Sequence, residues 1–397
     1  MKQILTIKEY NRTICGCYLS LFMQAFCCTC PAILYVSLQT LYGLSYTQLG
    51  ALAFITFAVQ IIIDIAASHP VDKYGFRPFI LSAPIFVIVG VAVFISAPLI
   101  LENPYPLFVV GTMIFSIASG LLEVMVSPLI DNLPTTNKAR SMALLHAFYG
   151  VGQIFTVLVA TLMIHFLGSE NWQIVMGVFI VIPIISLIIL APAPIVNSKD
   201  INRTIKFSEF LTKPTFLLLM CAICLGAMCE IIMAQWASSF FETTLGFEKL
   251  YGDLLALCSF SIFFTVGRLI YAKFGKHLSL SNACILGSII TAVCYAVLVF
   301  QSNVWVSIVA CAVSGFGVCM LWPGTITLAT TAFPNASTKL FGTLSGAGDL
   351  GGAIGPFLLG IIADAAGLQI GLSVAIVAAV LNIFVHLIIK KRTTTVS

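Results

Sequence analysis

Residues 68–77 read Ser68-His69-Pro70-Val71-Asp72-Lys73-Tyr74-Gly75-Phe76-Arg77. A long apolar run stands on each side of this charged stretch, at 46–69 and 77–101. Each run is near the ~20 residues that ~30 Å of hydrocarbon demands at about 1.5 Å per residue. The stretch therefore joins two membrane-spanning helices. Further runs of the same kind lie at 13–38, 106–131, 140–166, 171–194, 214–241, 250–274, 281–301, 304–331, 340–366 and 368–389, making spans one to twelve. Their connections alternate between two sides. Lys2, Lys8, Arg12, Lys73, Arg77, Lys138, Arg140, Lys199, Arg203, Lys206, Lys213, Arg268, Lys273, Lys276, Lys339, Lys390, Lys391 and Arg392 fall on one side. Of the nineteen Lys and Arg, that leaves Lys249, which shares the other side with Glu102, Glu170, Glu242 and Glu248. An excess of Lys and Arg marks the cytoplasmic side, so both termini are expected there, in an inner or plasma membrane.

Composition agrees with an all-α membrane protein. Hydrophobic residues make up 60%, charged residues 9%, and mean hydropathy is +1.08. The net charge of +4 is the cytoplasmic excess just described and calls for no nucleic acid. No cleavable signal peptide is expected, because Lys2 and Lys8 precede a run too long for one. Cys27, Cys28 and Cys30 crowd span one without His or Asp, so the thirteen cysteines read as small hydrophobes rather than a metal or redox site.

The polar stretch at 197–213 divides the chain into expected six-helix bundles at 1–196 and 214–397. A shift of about two hundred residues brings the halves into weak register. Asp72-Lys73-Tyr74-Gly75 overlays Ala272-Lys273-Phe274-Gly275, Leu133-Pro134 overlays Phe333-Pro334, and Gly150 falls near Gly351. A six-plus-six parallel repeat is a transporter architecture, with its solute site near midplane.

Asp72, Lys73, Gly75 and Arg77 resemble the signature loop of the major facilitator superfamily, Gly-x-x-x-Asp-Arg/Lys-x-Gly-Arg-Arg/Lys. Ser68 and Phe76 depart from it. The resemblance implies twelve helices in two pseudo-symmetric bundles, and for this loop a cytoplasmic gate-latching role. Leu122-Glu123-Val124-Met125-Val126-Ser127-Pro128, Leu145-His146-Ala147-Phe148-Tyr149-Gly150, Trp322-Pro323-Gly324 and the glycine-rich 346–352 are similar to the fucose permease-like branch. That branch implies a sugar moved with a proton. Fucose permease carries an acidic residue on helix one, where this chain has Ala32 and no Asp or Glu in the span, so a two-carboxylate mechanism does not carry over directly.

An ionisable side chain at bilayer depth costs roughly 2.5–3.5 kcal/mol, so each one asks for a role. Glu123 lies about 12 Å from the Asp131 end of its span, and Glu230 about 24 Å above Pro214. Burial favours a neutral carboxyl and water a charged one, so both are candidate proton-coupling groups. Gln60 and Asp64 share a face of span two; His146, Tyr149 and Gln153 share one on span five. Gln235 and Trp236, one turn beyond Glu230, offer an amide and an indole suited to a sugar. Pro323 should free a backbone carbonyl beside Trp322 within span ten. With Glu123 and Glu230, these form the expected solute-binding set. Arg268 and Asp349 are expected to pair within the cytoplasmic half, joining the gate. His69, His165, His277 and His386 carry no functional expectation.

No Walker sequence and no catalytic or metal constellation is visible, so neither ATP-driven transport nor an enzyme is expected, and no cofactor. The expected partners are a small solute, a proton and membrane lipids, with the chain a monomer. Drug or metabolite export by proton antiport is the alternative within transport; a non-transporting membrane sensor is the alternative outside it.

Overall fold

The computed structural model describes residues 10–131, 133, 138–195, 212–274, 279–333 and 338–394. The expected linker lies almost wholly outside them. Among the described residues, twelve helices are long and apolar enough to cross a membrane: α1 Asn11–Ile33, α2 Tyr46–Ala67, α3 Phe76–Ile100, α4 Tyr105–Ser127, α5 Leu145–Leu167, α6 Ser169–Leu190, α7 Pro214–Thr244, α8 Lys249–Tyr271, α9 Leu280–Phe300, α10 Val304–Ala329, α11 Gly342–Ala366 and α12 Leu368–Arg392. No strand occurs among the described residues. The protein is a multi-pass helical membrane protein.

Two local features refine the expected boundaries. Residues 70–74, expected as a connection, continue the helix of α2 through Pro70 to Tyr74, and the next helix starts at Phe76. Gly75 alone makes the reversal, at a φ of 80° that a Cβ would strain. Span one, expected to run to 38, stops at Ile33; a separate helix, Tyr35–Tyr42, follows and closes on Gly43 at φ 66°. Pro31 lacks the N–H that would bond the carbonyl four residues back, which weakens the ladder just before this break. Pro183 and Pro323 act likewise in α6 and α10, whose helices are interrupted at Phe179–Ile180 and at Cys319–Met320.

By packing, the chain forms two compact units. The first comprises Met1–Pro31 and Val59–Asn202, and the second comprises Ala32–Ala58 and Arg203–Ser397. The first unit is centred on aromatic packing. Phe94 of α3 stacks on Phe108 of α4 at 4.6 Å, and Trp172 of α6 meets both edge-on at 5.9 and 5.7 Å. All three are fully buried.

The second unit takes in the short helix Tyr35–Tyr42 and the first part of α2. A Cβ on Gly50 would lie 2.9 Å from the Pro356 carbonyl, and one on Gly360 2.5 Å from that of Tyr46, so only glycines admit α2 this close to α11. Asp364 then accepts the Tyr46 and Thr47 N–H groups, each at 2.8 Å. This supplies a carboxylate to donors that the start of a helix leaves unbonded.

Candidate functional site

In the first unit, α2 presents Gln60 and Asp64 one turn apart. Helix α4 meets α2 at Gly120, where a Cβ would lie 2.8 Å from the Ile63 Cβ and 3.1 Å from the Gln60 carbonyl. One turn on, this contact sets the carboxylates of Asp64 and Glu123 within 4.8 Å of one another. Gln60 is buried, while Asp64 and Glu123 are half-buried. On α5, Gln153 is buried, Tyr149 half-buried and His146 exposed. Phe148, beside Tyr149, stacks on Tyr18 of α1 at 4.5 Å. Two carboxylates at this separation repel when both are charged, and a proton between them removes the repulsion.

The second unit treats its carboxylate differently. Glu230 of α7 stands 3.9 Å from the guanidinium of Arg268 on α8. The expected partner of Arg268 was Asp349; Arg268 turns to Glu230 instead, because two further contacts fix its direction. Its guanidinium lies 3.8 Å over the Phe264 ring, and its Nε donates to the Cys319 carbonyl at 3.1 Å. Cys319 sits four residues before Pro323, so its carbonyl is the acceptor that the missing proline N–H leaves free. The freed carbonyl expected in span ten is therefore present and already carries a cation. Asp349 is buried on α11.

The remaining candidates of this unit are drawn into packing. The Trp236 indole is fully buried, donates to the Pro356 carbonyl at 3.1 Å and meets the rings of Tyr35 and Tyr46 at 5.2 and 5.9 Å. Gln235 accepts from the Tyr35 hydroxyl at 3.0 Å. Trp322 lies on α11 at Gly348, where a Cβ would sit 2.3 Å from the indole. These three side chains brace helices in this structure.

Of the gate residues, Arg77 donates to the Ala193 carbonyl at 2.9 Å and to that of Ala191, tying the end of α6 within the first unit. Lys73 is exposed, 5.1 Å from the Tyr74 ring centre. The side chain of Asp72 lies outside the described residues.

Sequence reasoning passed over several polar groups. Asp253 is fully buried and, with Glu242, lies 3.4 Å from the Lys249 ammonium, which also donates to Ser238 at 2.7 Å. Its position four residues after Lys249 was the available signal. Two π-helical turns, Phe240–Thr244 and Asp253–Leu257, bracket this cluster. Asn382 and His386, one turn apart on α12, are fully buried, although the position of His386 near the end of the last span carried no functional expectation.

Comparison with known proteins adds the wider setting. A family model described as Major Facilitator Superfamily matches residues 17–291 and 260–396. The fold is similar to crystal structures of a bacterial homologue of the human lysosomal transporter Spinster. For the inward-facing, occupied form the TM-score is 0.76 at 14% identity, over 96% of each chain. For the inward-facing, unoccupied form it is 0.75 at 14% identity, over 98% of each. No curated protein matches by sequence.

Proposed function

We propose, for a chain that belongs to the Major Facilitator Superfamily, that it moves a small polar solute, a sugar, by proton-coupled alternating access. Secondary transport follows from the family. The finer reading rests on one observation, the Asp64–Glu123 carboxylate pair within 4.8 Å on two membrane-spanning helices. Such a pair gains a proton where it is dry and yields it where water and counter-ions reach it. Glu123 is the proton carrier in this reading, and Asp64 its partner. Glu230 has a fixed counter-ion in Arg268, so it serves as a polar anchor for solute hydroxyls instead of a second carrier. Gln60, Tyr149 and Gln153 complete the hydrogen-bonding set of the first unit. The basic connections face the cytoplasm, in the inner or plasma membrane, and the chain works as a monomer.

Thermal stabilisation of the purified protein by a panel of sugars identifies the solute. With it, Glu123→Gln should abolish uptake against a gradient while sparing binding and exchange, because the amide mimics a permanently protonated carboxyl. Uphill uptake of normal pH dependence by Glu123→Gln would overturn the assignment. Stabilisation by none of the sugars would overturn the solute class.

A further inference from the structure

The spanning helices hold many Ser and Thr side chains, and most of those with an assigned partner bond back to their own helix. Ser20 donates to the Gly16 carbonyl, Thr156 to Gly152, Ser261 to Leu257, Ser288 to Cys284, and Thr325 to Leu321, at 2.6–3.1 Å. This is the usual refuge of a hydroxyl away from water. On α4 the pattern fails three times in succession. Thr112, Ser116 and Ser119 are each at most 1% exposed, and their hydroxyls have no hydrogen-bond partner among the described residues. Ser186, Ser239 and Ser307 share that condition singly, on three different helices.

The three α4 hydroxyls are spaced four and three residues apart, and Glu123 follows four residues after Ser119, so all four fall on one face. That face lies between the edge of α4 that meets α3 at Gly111 and Phe115 and the edge that meets α2 at Gly120. Along the axis the steps are about 6, 4.5 and 6 Å. Two hydroxyls at such spacing are too far apart to bond directly, and suit one water molecule bonded to each, since two hydrogen bonds of about 2.8 Å span the gap. A buried hydroxyl without a protein partner calls for just such a bond.

We infer that Thr112, Ser116 and Ser119 hold a file of water molecules running along α4 from Thr112 to the Asp64–Glu123 pair. The file deepens the proton-coupled reading and rests on it: it supplies the route by which a proton reaches Glu123 from the side opposite the basic connections. Each hydroxyl accepts from one water and donates to the next, so a proton entering at Thr112 leaves one at the carboxylates by relay. Asp64 is the acidic neighbour of Glu123 on α2 at the inner end of the route.

The test uses the full chain in proteoliposomes, with cysteine placed singly at 112, 116 and 119. A small water-soluble thiol reagent is applied, and the unmodified chain sets the background of its native cysteines. Met113, on the same helix and lipid-exposed, is the control for depth. The three positions should react about tenfold or more faster than Met113→Cys, since the reaction needs a hydrated thiolate. Equal rates would overturn the water file. A second arm combines Thr112→Val, Ser116→Ala and Ser119→Ala. Uptake driven by an imposed proton gradient should fall about tenfold or more, with exchange unchanged. Normal gradient-driven uptake in this variant would overturn the relay. The cysteine rates do not depend on transport, so failure of Glu123→Gln to abolish uphill uptake leaves them standing, and the two failures are told apart.

Discussion

The two units each hold a carboxylate on a spanning helix, and they surround it in opposite ways. Glu123 faces a second acid, Asp64, within 4.8 Å. Glu230 faces a guanidinium at 3.9 Å that is itself clamped by Phe264 and the Cys319 carbonyl. An acid beside an acid is poised to exchange a proton, because protonation relieves repulsion. An acid beside a cation is drawn towards its charged form and held in place. The two units thus surround a membrane-helix carboxylate with different chemistry.

The contrast breaks most readily at Arg268. Arg268→Ala should lower stability by roughly 3 kcal/mol, read as the thermal midpoint in detergent, because Glu230 and the Cys319 carbonyl are both left without their cation. Adding Glu230→Leu should restore most of that loss, since the stranded charge is the main cost. A loss that persists in the double variant would mean that Arg268 acts by packing on Phe264.

The two amide substitutions sharpen the comparison at smaller scale. Glu230→Gln should cost about 1–2 kcal/mol, the worth of a hydrogen bond to a charged group. Glu123→Gln should leave the midpoint unchanged or raise it, because it removes like-charge repulsion. Equal losses for the two would erase the distinction between the units.

Smaller still are the effects expected where charges meet helix ends. Arg77→Ala releases the Ala191 and Ala193 carbonyls in the first unit and should cost about 1 kcal/mol. Asp364→Asn weakens the grip on the α2 N-terminus in the second and should cost about 0.5–1 kcal/mol. Both contacts are partly exposed to solvent, so added salt should shrink the difference between each variant and the parent chain.

The twelve spans were legible because hydropathy and helix rise act on residues close in sequence. So was the free carbonyl in α10, which follows from the chemistry of Pro323 alone. The partner of Arg268 was not legible, since Glu230 and Asp349 are both acids at reachable depth and only the rotation of α8 decides between them. Gln235 and Trp236 read as a solute surface because their neighbours Tyr35, Tyr46 and Pro356 lie far off in the chain. The three hydroxyls of α4 escaped notice for the opposite reason: Ser and Thr are common in membrane helices, and only their hydrogen bonding sets these apart.

The interruption of α10 has a further consequence. By deleting one donor, the ring of Pro323 makes a local loss into a long-range appointment, since the acceptor it disowns is engaged by a cation on another helix. A chain with alanine at 323 would be free to mend α10 from within, and the mended helix would compete with Arg268 for the same oxygen. A substitution at residue 323 and one at residue 268 then act on the same interaction, although fifty-five positions separate them.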